Sequence, residues 1–323
     1  MAKATGKAHG KLILIGEHSV VYDKLSVGIP FMAVNVISKL EESTDETYLD
    51  SEVFTGPIHK VPSYLENIYA LYKKLKTDRN ISNQNFHISI KSTIPMERGL
   101  GSSAAIAVSL VRAFENYIGE KFSDEQFLEY VDHAEKISHG NPSGLDARII
   151  SFEKPLLYQK SKPIQSFYFD TPYWLVVVDT GITGQTKDAV SDVRASFDSP
   201  YYARFYATRK TINNLDRLAH EFHHTLSNET DNFNRLADII NNSQNELRTL
   251  QVSSPEQDNG IRFARENGAA AGKLTGGGRG GCFYLLVESE YEANILKNKM
   301  LNNDLGVDAW TIPLSSMDMG KDI

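Results

Sequence analysis

Glycine and serine residues cluster in one stretch whose chemistry suits a bound phosphate group. Residues 95–107 read Pro-Met-Glu-Arg-Gly-Leu-Gly-Ser-Ser-Ala-Ala-Ile-Ala. Gly99 and Gly101 allow the positive φ angles with which a backbone approaches a ligand closely. The hydroxyls of Ser102 and Ser103 can bond a phosphate or a magnesium ion. The stretch therefore predicts an anion-binding loop.

The flanking sequence predicts a strand and a helix that would hold this loop. A strand is expected at 86–90, and an amphipathic helix follows the loop, so its unpaired N–H groups would face an anion. The same motif is also typical of an ordinary helix start, because serine is a favoured N-cap and glycine a favoured turn residue. The choice between the two interpretations depends on the rest of the chain.

Two carboxylates lie where they could act on a phosphate. A capping box at 123–126 opens a second predicted helix, and Glu135 falls on its apolar, inward face. A buried carboxylate is costly unless it is paired or binds a metal. Asp146 follows a cluster of helix-breaking residues at 139–144. Both residues are candidate functional groups.

The beginning of the chain supplies a lysine and two further polar residues. Lys11 opens a short apolar strand that ends at Ile15, and Glu17 and His18 follow in the next turn. Binding groups concentrate on loops at strand ends. Lys11 close to Asp146 would keep the aspartate ionised and would stabilise charge on an acceptor oxygen.

Together these groups suit phosphoryl transfer. Magnesium needs few protein oxygens when it also binds phosphates, and Ser103 with Glu135 would be sufficient. Asp146 could accept the proton of an acceptor hydroxyl. The chain contains neither the P-loop pattern nor the His-Arg-Asp and Asp-Phe-Gly motifs, so it would not be a P-loop or a protein kinase.

Two other motifs allow different interpretations. Residues 99–104 and 276–281 match the dinucleotide fingerprint Gly-x-Gly-x-x-Gly/Ala, but neither has the strand, helix and second parallel strand that it requires. Residues 220–224 match the zinc motif His-Glu-x-x-His. The apolar stripe of that helix directs His220 and His224 toward water, which argues against a zinc site.

Composition limits the class of protein. A length of 323 residues allows one large or two medium domains, and the net charge of −7 argues against a nucleic-acid partner. The absence of a spanning apolar run and of a signal-peptide pattern predicts a cytosolic protein without membrane attachment. The single cysteine, Cys282, excludes an internal disulfide.

Apolar spacing predicts most of the remaining elements. They are strands at 28–37 and 39–48, a helix at 63–75, a strand at 174–178, helices at about 202–226, 232–250 and 256–272, a strand at 282–287, a helix at 290–301 and a strand at 308–314. The second part should contain an antiparallel or mixed sheet. A glycine cluster at 273–281 should run from a helix into a strand and lie close to a ligand or another chain segment. Residues 317–323 are predicted to be a loose tail.

Three segments, in chain order, resemble the signatures of one kinase family. They are 10–18 (Gly-Lys-Leu-Ile-Leu-Ile-Gly-Glu-His), 99–105 (Gly-Leu-Gly-Ser-Ser-Ala-Ala) and 273–278 (Lys-Leu-Thr-Gly-Gly-Gly). The chain is thus similar to the small-molecule kinases named for galactokinase, homoserine kinase, mevalonate kinase and phosphomevalonate kinase (GHMP). Three ordered matches over most of the chain are far more specific than one.

The resemblance implies an α+β fold with two domains. The N-terminal, ATP-binding domain would be residues 1–171 and would resemble the second domain of ribosomal protein S5. The C-terminal domain, residues 172–323, would be ferredoxin-like, with the active site in the cleft between the two. A homodimer is a further expectation from the family.

The resemblance also implies a reaction. Residues 16–22 and 137–146 are similar to those of the family members that phosphorylate mevalonate. This implies transfer of the ATP γ-phosphate to the primary hydroxyl of (R)-mevalonate, giving 5-phosphomevalonate for isoprenoid synthesis. Phosphomevalonate or homoserine is the alternative acceptor, because those kinases share the nucleotide loop. A nucleotide-binding protein without kinase activity is a second alternative.

By the same resemblance, Asp146 is the catalytic base and Lys11 its electrostatic partner. Ser103 and Glu135 are the expected Mg²⁺ ligands. The loop that binds the ATP triphosphate would comprise Pro95, Met96, Glu97, Arg98, Gly99, Leu100, Gly101, Ser102, Ser103, Ala104 and Ala105.

On the acceptor side, the resemblance implies that Glu17, His18 and Thr183 lie near mevalonate. The chain departs from the family pattern in two places. Charged Glu97-Arg98 stands where small or less charged residues are usual, and Arg279 interrupts the third glycine cluster.

Overall fold

The computed structural model describes residues 2–140, 142–229 and 231–317. The predicted tail, except Met317, lies outside them, as does Asn141 of the helix-breaking cluster. The strands of the described residues are β1 (Lys3–Ile15), β2 (Ser26–Ser43), β3 (Tyr48–Ser51), β4 (Phe54–Pro57), β5 (Asn85–Ser92), β6 (Leu156–Tyr158), β7 (Gln165–Ser166), β8 (Asp170–Asp179), β9 (Ala271–Leu274), β10 (Cys282–Val287) and β11 (Asp308–Ser315). The α-helices are α1 (Glu66–Asp78), α2 (Ser102–Ile118), α3 (Asp124–His139), α4 (Leu145–Phe152), α5 (Thr186–Phe197), α6 (Tyr202–Asn228), α7 (Phe233–Thr249), α8 (Pro255–Glu266) and α9 (Glu290–Asn302).

The chain forms two compact units. The first contains the residues up to Lys11, Phe31–Met96 and Gly101–Glu153, and the second contains Leu12–Pro30, Glu97–Leu100 and the residues from Lys154 onward. The division between domains predicted at residue 171 stays a prediction. None of the described helices is both long and apolar enough to cross a membrane.

In the first unit, four helices accompany a sheet of order β4-β3-β5-β2, with β1 also beside β2. Strands β2 and β5 are antiparallel, with Leu40 opposite Ile88, and β3 runs parallel to β5. The capping box predicted before α3 is present, because Ser123 and Gln126 bond each other's backbone N–H groups. Helix α3 therefore begins where the sequence predicts. Helix α2 begins at Ser102, directly after the loop, which was also predicted.

Strand β2 corrects the prediction of two strands at 28–37 and 39–48. Ser38, expected between them, is buried within one continuous strand, and its hydroxyl lies 2.7 Å from that of Ser109. Residues 31–43, on both sides of Ser38, contain neither glycine nor proline, so the strand continues. Strand β1 also begins earlier than predicted, at Lys3.

In the second unit, the sheet order is β11-β8-β10-β9, and each of these pairs is antiparallel. Numbered within this unit, the order is 4-1-3-2, the arrangement of the ferredoxin-like fold. Val176, Val178, Phe283 and Leu285 form the centre of its core. The predicted antiparallel sheet and α+β class are confirmed.

In this unit, sequence analysis misplaced the end of one helix and missed strand β9 and helix α5. Helix α8 ends at Glu266, not at 272, because Gly268 has a φ of 116° and stops it. The glycine cluster therefore joins strands β9 and β10, not a helix and a strand. Helix α5 was not predicted.

Candidate active site

The predicted anion-binding loop ends at the N-terminus of α2. Gly101 is the N-cap residue, with a φ of 80°, and Gly99 has a φ of 81°. Among the described residues, no side chain caps this helix end. The N–H groups of its first turn are therefore available to an anion, and the helix dipole favours negative charge there.

Gly101 also provides space for the lysine of β1. A Cβ atom at Gly101 would lie 2.7 Å from Cδ1 of Ile150 and 3.0 Å from Cγ of Lys11. Both the backbone conformation and the close packing therefore require glycine at this position. The loop lies directly on the aliphatic stem of Lys11.

Lys11 and Asp146 form an asymmetric ion pair in the first unit. Lys11 Nζ lies 3.0 Å from Asp146 Oδ1, and the two side chains are 2% and 35% exposed. Asp146 lies in the first turn of α4, where the helix dipole also stabilises a carboxylate. The Asp146 carboxylate is accessible to a ligand that enters from solvent. Lys11 is not, so it can influence a ligand only through Asp146 or from the buried side of the site.

Ser103 and Glu135 meet beside the start of α2. The Ser103 hydroxyl donates to Glu135 Oε1 over 2.6 Å. Burial raises the pKa of Glu135, and the nearby His139, whose Nε2 is 3.8 Å from Oε2, partly opposes that rise. A desolvated carboxylate next to a hydroxyl is a suitable oxygen pair for a divalent cation.

A magnesium site here would have few protein ligands. The described part of the chain contains no group of three or more His, Cys, Asp or Glu side chains arranged around a metal position. Mg²⁺ bound with a nucleotide uses phosphate oxygens and water for most of its ligands, so one carboxylate and one hydroxyl fit it.

In the second unit, Glu17 is paired with a lysine that sequence analysis did not single out. Lys273 donates to the Glu17 carboxylate and, over 2.7 Å, to the carbonyl of Leu274, and both charged side chains are fully buried. Tyr284 donates to the carbonyl of Leu14 over 2.6 Å. These bonds hold the end of β1 and the residues that follow it against β9 and β10. The only sequence signal for Lys273 was its place at the start of the third signature.

His18 contacts the same glycine segment. Its Nε2 lies 3.0 Å from the carbonyl oxygen of Gly277. Burial, with smaller contributions from Arg279 and Lys273, lowers the pKa of His18 to about 4. The ring is therefore neutral at physiological pH, and because a carbonyl only accepts, the proton must be on Nε2.

The second glycine cluster lies against the first one. A Cβ atom on Gly276 would lie 2.8 Å from Cα of Gly99, and the N–H of Cys282 donates to the carbonyl of Arg98 over 2.9 Å. The sequence left open whether the cluster approaches a ligand or another chain segment. The structure shows contact with segment 97–100 of the predicted anion-binding loop.

The two charged departures from the family pattern both contact protein groups. Arg98 reaches the residues that follow β8, where its Nη1 donates to Oγ1 of Thr183 over 3.0 Å. Arg279 donates to Asp192 over 2.6 Å and to the carbonyl of Gln251 over 3.2 Å. Both guanidinium groups thus have hydrogen-bond partners within the protein and do not need a ligand to satisfy them.

The His-Glu-x-x-His pattern is on the outer face of α6. His220 and His224 are exposed, and the apolar stripe of the helix, including Leu215 and Phe222, is buried. The predicted orientation is confirmed.

Comparison with known proteins identifies the class of this fold and site. The family model for the GHMP kinases N terminal domain matches residues 64–154, and that for the GHMP kinases C terminal matches residues 209–305. The chain belongs to the GHMP kinase family.

Several similar proteins within the family have a more specific name, mevalonate kinase. A mevalonate kinase of Aeropyrum pernix is 32% identical over 302 residues, which cover 90% of this chain and 91% of that protein. The crystal structure of mevalonate kinase from methicillin-resistant Staphylococcus aureus MRSA252 aligns with a TM-score of 0.74 at 29% identity, covering 98% of this chain and 100% of that one. L. major mevalonate kinase in complex with R-mevalonate aligns with a TM-score of 0.79 at 22% identity, covering 98% and 97%.

The low pKa of His18 predicts a pH dependence of folding. The unfolded chain binds a proton at His18 below its ordinary pKa of 6.5, whereas the folded chain does so only below about 4. Protons therefore favour unfolding within this window, and stability falls as the pH is lowered from 6.5 toward 4, by at most on the order of 3 kcal/mol. NMR titration of the His18 ring should show it neutral at pH 5.

His18→Asn removes the titrating group, and asparagine tolerates the positive φ of this residue. Denaturant unfolding at pH 4.5 and 7 should show a smaller pH dependence for this variant than for wild type or for the exposed-site control His220→Asn. Titration of His18 near its ordinary pKa would contradict the assignment.

Proposed function

We propose that this chain transfers the γ-phosphate of ATP to the primary hydroxyl of (R)-mevalonate, giving 5-phosphomevalonate for isoprenoid synthesis. Membership of the kinase family supports ATP as co-substrate, and relatives named mevalonate kinase support the acceptor. The observation that carries the proposal is the Lys11–Asp146 pair, in which the carboxylate is open to a ligand.

In the proposed reaction, Asp146 accepts the proton of the acceptor hydroxyl. The hydroxyl oxygen forms a bond to the γ-phosphorus, the bond from that phosphorus to the β,γ-bridging oxygen breaks, and ADP leaves. Lys11 stabilises the negative charge that develops on the acceptor oxygen. The N–H groups at the start of α2 bind phosphate oxygens, as do other residues of the loop 95–105.

We assign Mg²⁺ to Ser103 and Glu135. Their 2.6 Å contact supports this assignment, as does the burial of the carboxylate, whose one ion-pair partner among the described residues is His139 at 3.8 Å. When bound, the ion would neutralise charge on the phosphate oxygens of ATP.

Glu17, His18 and Thr183 are the proposed residues on the acceptor side. Thr183 is exposed and carries a hydroxyl that can bond an acceptor oxygen. Glu17 and His18 are buried and bonded to Lys273 and Gly277, so their role includes holding the glycine segment in place.

Residues 1–171 are the proposed ATP-binding domain and 172–323 the proposed C-terminal domain. The matches to the N- and C-terminal family models, which fall on opposite sides of residue 171, support this division. The cytosolic location and the homodimer stay predictions.

The acceptor is tested with purified protein, ATP and Mg²⁺ against mevalonate, phosphomevalonate, homoserine and galactose. Coupled ADP release should occur with mevalonate, and ³¹P NMR should show a phosphomonoester on its primary hydroxyl. Turnover with phosphomevalonate or homoserine in place of mevalonate would identify another kinase of the family. Nucleotide binding without turnover on any alcohol would identify a binding protein.

Asp146→Asn should lower kcat by at least about 100-fold, because it removes the proton acceptor and keeps the side-chain shape. Nucleotide affinity, measured by calorimetry, should change little. Asp132→Asn is the control, because Asp132 forms an ion pair with Arg148 in the same unit but has no proposed role in catalysis. Full turnover by Asp146→Asn would exclude Asp146 as the base.

Glu135→Gln should raise the Mg²⁺ concentration needed for half-maximal activity, because an amide oxygen is a weaker ligand than a carboxylate. Glu115→Gln provides a control, since Glu115 is also buried but accepts a bond from the N–H of Phe122 near the other end of α2. An unchanged metal titration for Glu135→Gln would exclude it as a ligand.

A further inference from the structure

One arginine joins the predicted anion-binding loop to the segment that contains Thr183. Arg98 belongs to the loop, and its guanidinium reaches the last residue of β8 and two residues that follow this strand. Nη1 donates to Oγ1 of Thr183 over 3.0 Å, Nη2 donates to the carbonyl of Gly181 over 2.7 Å, and Nε lies 3.0 Å from Oδ1 of Asp179. All four residues lie in the second unit.

The position of this guanidinium is strongly restrained. The side chains of Arg98 and Asp179 are 17% and 5% exposed, so their ion pair is little screened by water. Asp179 Oδ1 is itself held in place, because it accepts a hydrogen bond from the N–H of Gly181 over 2.9 Å. The planar fork of arginine can serve several acceptors in fixed directions, which a lysine cannot do.

Backbone bonds join the same two segments. The N–H of Gly184 donates to the carbonyl of Glu97 over 2.8 Å. Residues 281–282 also bridge the two segments, because the N–H of Gly281 donates to the carbonyl of Ile182 over 2.7 Å and the N–H of Cys282 donates to the carbonyl of Arg98 over 2.9 Å. Segments 97–100 and 179–184 therefore form one connected piece. A displacement of one segment would be transmitted to the other.

The bond from Arg98 sets the direction of the Thr183 hydroxyl. Because Oγ1 accepts a hydrogen bond from the guanidinium, the hydroxyl must direct its own proton to a different acceptor. Thr183 is exposed, so a ligand oxygen can be that acceptor. An anionic oxygen, such as a carboxylate, is the strongest partner for an oriented hydroxyl donor.

We propose that Arg98 is a positioning residue for the alcohol substrate. It orients Thr183 as a hydrogen-bond donor to a carboxylate or hydroxyl oxygen of that substrate. It also couples this contact to segment 97–100 of the anion-binding loop. This inference rests on the proposed function, in which Thr183 lies on the acceptor side.

The test compares Arg98→Lys with Arg112→Lys. Arg112 is a close structural match, because it is 16% exposed, lies 3.0 Å from Glu153 and donates to the carbonyls of Lys7 and Ser151. It has no proposed role in the reaction. Thermal unfolding of both variants measures the purely structural cost of each change.

Arg98→Lys should raise KM for mevalonate by about 10-fold or more, the range expected for loss of a charged hydrogen bond, and should change KM for ATP less. Arg112→Lys should lower Tm without changing either KM. In a Thr183→Val background, Arg98→Lys should have a much smaller effect on KM for mevalonate, because the hydroxyl that it orients is absent. Equal KM values for wild type and Arg98→Lys, or fully additive effects in the double variant, would overturn the proposal.

Hydrogen–deuterium exchange of segment 179–184 provides a readout without turnover. Arg98→Lys should increase exchange there relative to wild type and Arg112→Lys, and unchanged exchange would refute the coupling of the two segments. If wild-type protein does not phosphorylate mevalonate, the acceptor assignment fails, while the exchange result still decides whether Arg98 holds this segment.

Discussion

A buried ammonium group that needs a partner is the constraint on which the first unit depends. Lys11 is almost completely inaccessible, and Asp146 is its partner at 3.0 Å. Leaving a buried charge without its partner is destabilising, so β1 and the start of α4 must be held in register. The helix-breaking residues before α4 place Asp146 in its first turn. The same contact leaves one side of the carboxylate open for chemistry.

In the second unit, the corresponding constraint is a close backbone contact between two glycine-containing segments. Gly99 and Gly276 approach so closely that a Cβ on either would collide with the other segment. Around this contact, Lys273 with Glu17, and His18 with Gly277, connect the residues after β1 to the glycine cluster. The polar residues of the first signature thus support the backbone of the third.

Local sequence predicted those features that depend on local periodicity. Helical phase directed Glu135 inward, and the capping box at Ser123 and the glycines before α2 marked two helix starts; the structure confirms all three. The resemblance to a kinase family supplied the candidate roles. The roles themselves stay predictions, since the positions of side chains do not establish a reaction.

The features that sequence analysis missed depend on contacts between distant segments. From the local sequence, Ser38 is typical of a turn; its burial within β2 depends on its contact with Ser109. Lys273 is an ordinary strand residue in the local sequence, and its burial depends on its ion pair with Glu17. Arg98 was noted only as a departure from the pattern, because its partners follow a strand about 80 residues later in the sequence. Spacing along the chain contains no information on such pairs.

Asp146 is the proposed base for the acceptor hydroxyl, and a crystal structure of the protein with mevalonate and a non-hydrolysable ATP analogue would decide this role. If Asp146 is the base, one of its carboxylate oxygens should lie within about 2.6–3.2 Å of the primary hydroxyl of mevalonate, with Lys11 still bound to the same carboxylate. A primary hydroxyl bonded to a different base, with Asp146 directed away from it, would exclude Asp146 from this role.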